Sequence, residues 1–182
     1  MTPGWGSDLP VDPVTSFTHD PVFGRIDLSL DSDAGLLDVS GPAIPRVALR
    51  RAPGGHTSEH VPIGSRDATA LTLAVDGAEA PLTLGRGRIT RRSYAVTVKM
   101  RTDGRYRLVP SSDASSRLSR NGTRLGRLTA QRGGIVEPAD WRRRAKIMPL
   151  DAALGYALAA AFGTGARGAP GMLLEAGLDL LP

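Results

Sequence analysis

The chain contains no cysteine. Disulfides, thiolate zinc sites and cysteine nucleophiles are therefore excluded, and the composition fits a cytoplasmic protein. Aromatic residues are scarce as well, at 4%, whereas hydrophobic residues reach 41%. A core of normal size must then be built from Leu, Val, Ile and Ala. Lysine occurs only at Lys99 and Lys146, against 21 arginines. GC-rich coding explains that bias as readily as selection does, although the guanidinium suits bidentate phosphate contacts. The start, MTPGWGSDLPVDP, has neither a basic cluster nor an apolar run and does not read as a signal peptide.

What is present is a chain of 182 residues, a length that suits one domain with a tail. Its charge is uneven. Residues 1–40 carry seven aspartates against Arg25, a net of −6. Residues 86–146 carry 17 basic residues against Asp103, Asp113, Glu137 and Asp140, a net of +13. Such asymmetry points to phosphate-bearing partners, either nucleic acid or anionic lipid. The plainer explanation is that alternating strands place their charges on a solvated face.

Residues 1–16 are rich in Pro and Gly, show no periodicity, and read as a leader. From Val22 the pattern has period two: Val22, Ile26, Leu28 and Leu30 alternate with polar residues, which predicts a half-buried strand. Further short strands are predicted at 36–40, 46–51, 70–75, 81–84, 93–101, 105–110, 116–120 and 123–130, with a last one at 135–137. Asp76-Gly77 and Asn121-Gly122 are two-residue hairpin signals, because these pairs accept the positive φ angles of a type I′ turn. Nine to eleven short strands at this spacing predict a mainly β fold, an antiparallel sandwich or barrel.

The helical signal comes only at 150–162, LDAALGYALAAAF. Leu150, Leu154, Leu158 and Phe162 are spaced by four, and Ala153, Ala157 and Ala161 fill the adjoining stripe. Pro149 and Asp151 mark the start and Gly163 the stop. A helix apolar nearly all round is either buried or in a membrane. Thirteen residues span about 20 Å, short of the ~20 apolar residues a bilayer requires. The expectation is a buried helix in a close surround, inside a barrel or between sheets.

Several motifs resemble chemical sites. His56-Thr57-Ser58-Glu59-His60 fits H-x-x-E-H, a zinc-protease pattern that needs a helix. Gly54, Gly55 and Pro62 deny it one, so a solvent loop is expected. Gly163–Gly168 fits G-x-G-x-x-G but follows a helix instead of a strand, and reads as a cap and linker. No acid/base pair, nucleophile elbow or metal set can be named, so no enzyme, cofactor or catalytic residue is predicted. The sharpest surface feature is Asp140-Trp141-Arg142-Arg143-Arg144, with Lys146 beyond it. Arg142, Arg143, Arg144 and Lys146 are the candidate phosphate-binding residues.

The many short strands, the Y-R-L-x-P strand at Tyr106–Pro110, the hairpin SRLSRNGTRLGRL and one apolar C-terminal helix together resemble the tubby C-terminal-like superfamily, which includes LURP-one-related proteins and phospholipid scramblases. The resemblance covers about residues 17–165, leaving 1–16 as leader and 166–182 as a tail, in which Met172–Leu181 reads as a short docking helix. It implies a closed β-barrel around the hydrophobic helix. It also implies a non-enzymatic protein, cytoplasmic or peripheral to a membrane, that meets anionic phospholipid head groups. No lipid-binding residue of the family is carried over to this chain. Nucleic acid binding and a scaffold role are the alternatives, and the few aromatics count against a single-strand binder.

Overall fold

The computed structural model describes residues 12–54, 57–87 and 90–164. The tail reading at 166–182, His56 and most of the Gly163–Gly168 motif lie outside the described residues.

Twelve strands form two six-stranded antiparallel meanders. The first sheet takes β1 (Val14–Asp20), β2 (Gly24–Asp31), β3 (Leu36–Gly41), β4 (Ile44–Arg51), β5 (Leu71–Val75) and β6 (Ala78–Ala80) in chain order. The second takes β7 (Leu82–Leu84), β8 (Val96–Met100), β9 (Gly104–Pro110), β10 (Ser115–Arg120), β11 (Thr123–Thr129) and β12 (Asp140–Trp141), also in order. Consecutive strands pair because the connections are tight. At the two predicted hairpins, Asp76 and Gly77 have φ of 47° and 82°, and Asn121 and Gly122 have 51° and 83°. Both residues of each pair occupy the left-handed region that the turn demands.

Period-two patterning explains which face is inside. Ile26, Leu28 and Leu30 on β2, Leu37 and Val39 on β3, Val47 and Leu49 on β4, and Tyr106 and Leu108 on β9 are all buried. Against them lies α1 (Pro149–Phe162), in which every residue from Asp151 to Phe162 is buried. The helix contacts strands of both sheets, β2, β3 and β4 on one side and β9, β10 and β11 on the other. The small residues predicted to allow a close surround do so. A Cβ on Gly155 would lie 3.1 Å from the Leu118 side chain and 3.2 Å from that of Leu128. Pro149 opens the helix, where its missing N–H costs nothing. Asp151 accepts the Met148 N–H at 2.7 Å, and Gly163 ends the helix with its N–H on the Ala159 carbonyl. No described helix is long and apolar enough to cross a membrane.

The mainly β architecture with a buried C-terminal helix is as expected. The closed barrel is not seen: the main-chain ladder is continuous within each sheet but does not run round. On one side the sheets are joined by the chain itself, since only Pro81 separates β6 from β7. On the other, β1 and β12 are bridged by side chains. Asp20, 4% exposed, accepts the Val22 and Phe23 N–H groups on one oxygen, and the Trp141 indole N–H and Tyr156 hydroxyl on the other, each at 2.8–3.0 Å. The Tyr156 oxygen in turn accepts the Ala139 N–H. β12 has only two residues, too short to build a ladder to β1.

Local differences from the sequence reading are few. β1 begins at Val14, inside the stretch read as leader. Val22 lies in the turn after β1 and is exposed, not on the inner face. Residues 91–94 form a 3-10 turn, so Tyr94 precedes β8 instead of belonging to it. Residues 135–137 make no strand; Val136 forms a single bridge to Ala130.

Candidate anion-binding face

The outer face of the second sheet is built from the arginine-rich strands. On β9, Tyr106, Leu108 and Pro110 point inward and Arg105 and Arg107 outward. Arg117 on β10 and Arg124 and Arg127 on β11 are likewise exposed, as is Lys99 on β8. The registers bring them side by side. Lys99 is opposite Arg105, Arg107 is opposite Ser119, and Ser119 is opposite Arg124. Arg117 is directly opposite Arg127, because the β10/β11 pairing shifts by one residue between Leu118 and Ser119.

Like charges directly opposite on a sheet are destabilising, by about 0.2–1 kcal/mol per pair. None of these six cations makes an ion pair with a described carboxylate. Asp140 stands opposite Arg127 in register without reaching it. Among the described residues the surface is therefore a two-dimensional array of five guanidinium groups and one ammonium, flanked by a single carboxylate and without an ion pair, an arrangement that suits phosphate oxygens.

The four predicted site residues lie on the segment that leaves β12 for α1. Arg142, Arg143, Arg144 and Lys146 are all exposed, and none is ion-paired with a described carboxylate. The structure brings this segment against the sheet: the Arg142 N–H bonds the Leu125 carbonyl of β11, and the Ala145 N–H closes a turn on the Arg142 carbonyl. Arg120 anchors it from below. One guanidinium nitrogen, Nη1, donates to both oxygens of the fully buried Asp151, at 2.7 and 2.8 Å, and Nη2 donates to the Lys146 carbonyl at 3.2 Å. Burial, reinforced by the adjacent Asp151 carboxylate, pushes the neighbouring Tyr106 phenol well above its ordinary pKa. Because Asp151 and Arg120 occupy the helix N-terminus, a phosphate has no place there, and the positive charge offered to a ligand is on the outside.

Reading the sequence singled out Arg142–Arg144 and Lys146 as candidates but did not gather Arg105, Arg107, Arg117, Arg124, Arg127 and Lys99 into one surface. The available signal was the alternation in RYRLVP and SRLSR.

Two other places bring polar groups together. A cleft of about 840 Å³ at the C-terminal end of α1 is lined by Asp33, Glu59, His60, Arg132 and Phe162, among others. It contains the described part of the H-x-x-E-H motif, which lies in an exposed loop as expected, and no metal-ligating cluster exists among the described residues. Arg51 also borders this cleft, but the Ser32, Asp33 and Ile63 carbonyls take up its guanidinium. The second place is Arg66, whose guanidinium lies 5.2 Å from the Tyr94 ring centre and 5.7 Å from that of Phe162. One nitrogen donates to the Tyr94 carbonyl, Nε and Nη1 are buried without an acceptor, and burial lowers its pKa.

No protein-family model matches this chain, and no curated protein or solved structure matches it either.

Proposed function

We propose that this is a non-enzymatic binding protein whose arginine-lined second sheet, extended by Arg142, Arg143, Arg144 and Lys146, rests on the anionic head groups of a membrane surface. The observation that carries the reading is the facing pair Arg117 and Arg127 within an uncompensated cationic array. A basic residue near an anionic bilayer contributes about 1 kcal/mol, so several acting together recruit a protein reversibly. On this reading the two sheets form a barrel-like shell, completed by Pro81 on one side and by Asp20 and Trp141 on the other. The helix is its plug. The tubby C-terminal-like resemblance implies the same membrane-peripheral role, although the closed barrel it implies is replaced here by two sheets joined at a seam.

Co-sedimentation with vesicles tests the proposal. Binding to phosphatidylserine-containing vesicles that weakens as salt rises, with no binding to neutral phosphatidylcholine vesicles, is the expected result. Equal binding to both, or to neither, would overturn it. Steeply salt-dependent binding to duplex DNA without vesicle binding would favour a nucleic-acid role.

A further inference from the structure

The exposed edges of the two sheets are managed differently. β6 runs into β7 through Pro81, and β12 is two residues long with Pro138 just before it. β1 is seven residues long, and no main-chain hydrogen bond joins it to any described strand except β2. About half of its N–H and C=O groups therefore point away from the sheet. Proteins blunt such an edge with lysine, proline, a bulge or a charge. The strand VTSFTHD pairs with β2 without a bulge and contains no lysine or proline. Its one carboxylate, Asp20, is taken up by Trp141 and Tyr156.

Exposed apolar residues occur along the same strand. Of the six exposed large hydrophobic residues among the described residues, Val14, Phe17 and Val22 lie on β1 or in the turn after it, Val14 and Phe17 on opposite faces of the strand. Phe17 is 59% exposed, on the outer face, with the Arg25 guanidinium 4.4 Å from its ring centre.

We propose that a second copy of this chain adds its β1 antiparallel along this edge, with the two-fold axis passing through Phe17. The strand is self-complementary in that register. Phe17 meets Phe17 of the second copy, Ser16 meets Thr18, Thr15 meets His19 and Val14 meets Asp20, so no like charges are opposed. Pro13 and Pro21, which cannot donate to a ladder, fall opposite each other just outside it. Sliding by one residue would set outward side chains against inward ones, and sliding further would shorten the ladder. The isologous contact joins two first sheets into one continuous sheet and leaves both basic faces free. Charge beside the edge does not oppose the approach: Arg25 and Arg46 are paired with Asp27 and Asp38, and the unpaired Arg50 lies on β4, three strands away.

The full chain has no cysteine, so Phe17→Cys carries a single thiol, and partners across such an axis lie at disulfide distance. The expected result is oxidation of Phe17→Cys to a linked dimer about tenfold or more faster than Arg46→Cys, whose thiol lies on the same sheet but off the axis, because pairing raises the effective concentration. Sedimentation velocity should show a concentration-dependent dimer that Phe17→Lys converts to monomer with unchanged circular dichroism. Cross-linking of Phe17→Cys no faster than that of Arg46→Cys would overturn the proposal. So would a dimer that Phe17→Lys leaves intact. Dimerisation only after removal of residues 1–11 would also overturn it, by showing that the chain's own leader covers the edge.

Discussion

The two sheets are alike in strand number and meander order but opposite in how they treat charge. On the first, Arg25 bonds Asp27 at 2.9 Å and Arg46 bonds Asp38 at 2.7 Å. On the second, Lys99, Arg105, Arg107, Arg117, Arg124 and Arg127 face water or one another. A preference for arginine alone would load both sheets alike; it does not explain why two cations of the first sheet are ion-paired, with only Arg50 left exposed and unpaired, while the second sheet's one strand aspartate, Asp140, pairs with none of the six. That difference in pairing is what the proposed function rests on. Stability is given up on the second sheet by its opposed cations, which is the usual cost of a binding surface.

The comparison can be broken first at the seam between the sheets. Asp20→Ala leaves the Tyr156 hydroxyl and the Trp141 indole N–H buried without their acceptor and should lower stability by about 3 kcal/mol. Asp20→Asn, which keeps an acceptor, should lose less. Urea unfolding midpoints check both. If the seam is what keeps the sheets on the helix, Asp20→Ala should also expose Trp141 to fluorescence quenchers.

A smaller effect sharpens the contrast directly. Arg117→Ser removes one member of an opposed pair and should raise stability by a few tenths of a kcal/mol, within the ~0.2–1 kcal/mol range of cross-strand pairs. Arg46→Ser, on the first sheet, removes a partner from Asp38 and should lower stability slightly. Thermal melts of the two variants should shift in opposite directions.

The smallest effect is one of pH. Hydrogen bonding from Arg25 holds the Asp27 carboxyl below its ordinary value. A depressed carboxylate stabilises the fold above the unfolded pKa of about 4 and loses that contribution as pH falls through the folded value. Asp27→Asn should therefore reduce the difference in stability between neutral and strongly acidic solution. Arg107→Gln, on the second sheet, should leave that difference unchanged, because no carboxylate pairs with Arg107. Paired urea titrations read this out.

Much of the fold was legible because local signals agreed. The helix reads from the spacing of its leucines and from Pro149, Asp151 and Gly163, and it forms at Pro149–Phe162. The Asp-Gly and Asn-Gly turns read from two residues each. β1 did not read, and the reason is physical. Of the positions facing the same way as the buried Thr18 and Asp20, Ser16, Thr18 and Asp20 are polar and only Val14, exposed at the strand's start, is apolar, so the period-two hydrophobic signal is missing. Asp20 itself sat in an acidic stretch and gave no hint of burial beneath Trp141, 121 residues away. The basic face was half legible. Alternation alone exposes Arg105, Arg107 and Arg117. A simple two-residue hairpin would set Arg117 opposite Gly126, and only the register shift after Leu118 sets it opposite Arg127. Such a shift is decided by packing, here by Leu125 and Gly126 both turning inward.

The measurement that tests the account most directly compares charge reversal on the two sheets. Arg117→Glu with Arg127→Glu and, separately, Arg25→Glu with Arg46→Glu each change the net charge equally. The account predicts that the first pair abolishes co-sedimentation with phosphatidylserine-containing vesicles, while the second pair weakens it only slightly. Equal loss from both pairs would mean that net charge alone governs binding, and would contradict the assignment of function to the second sheet.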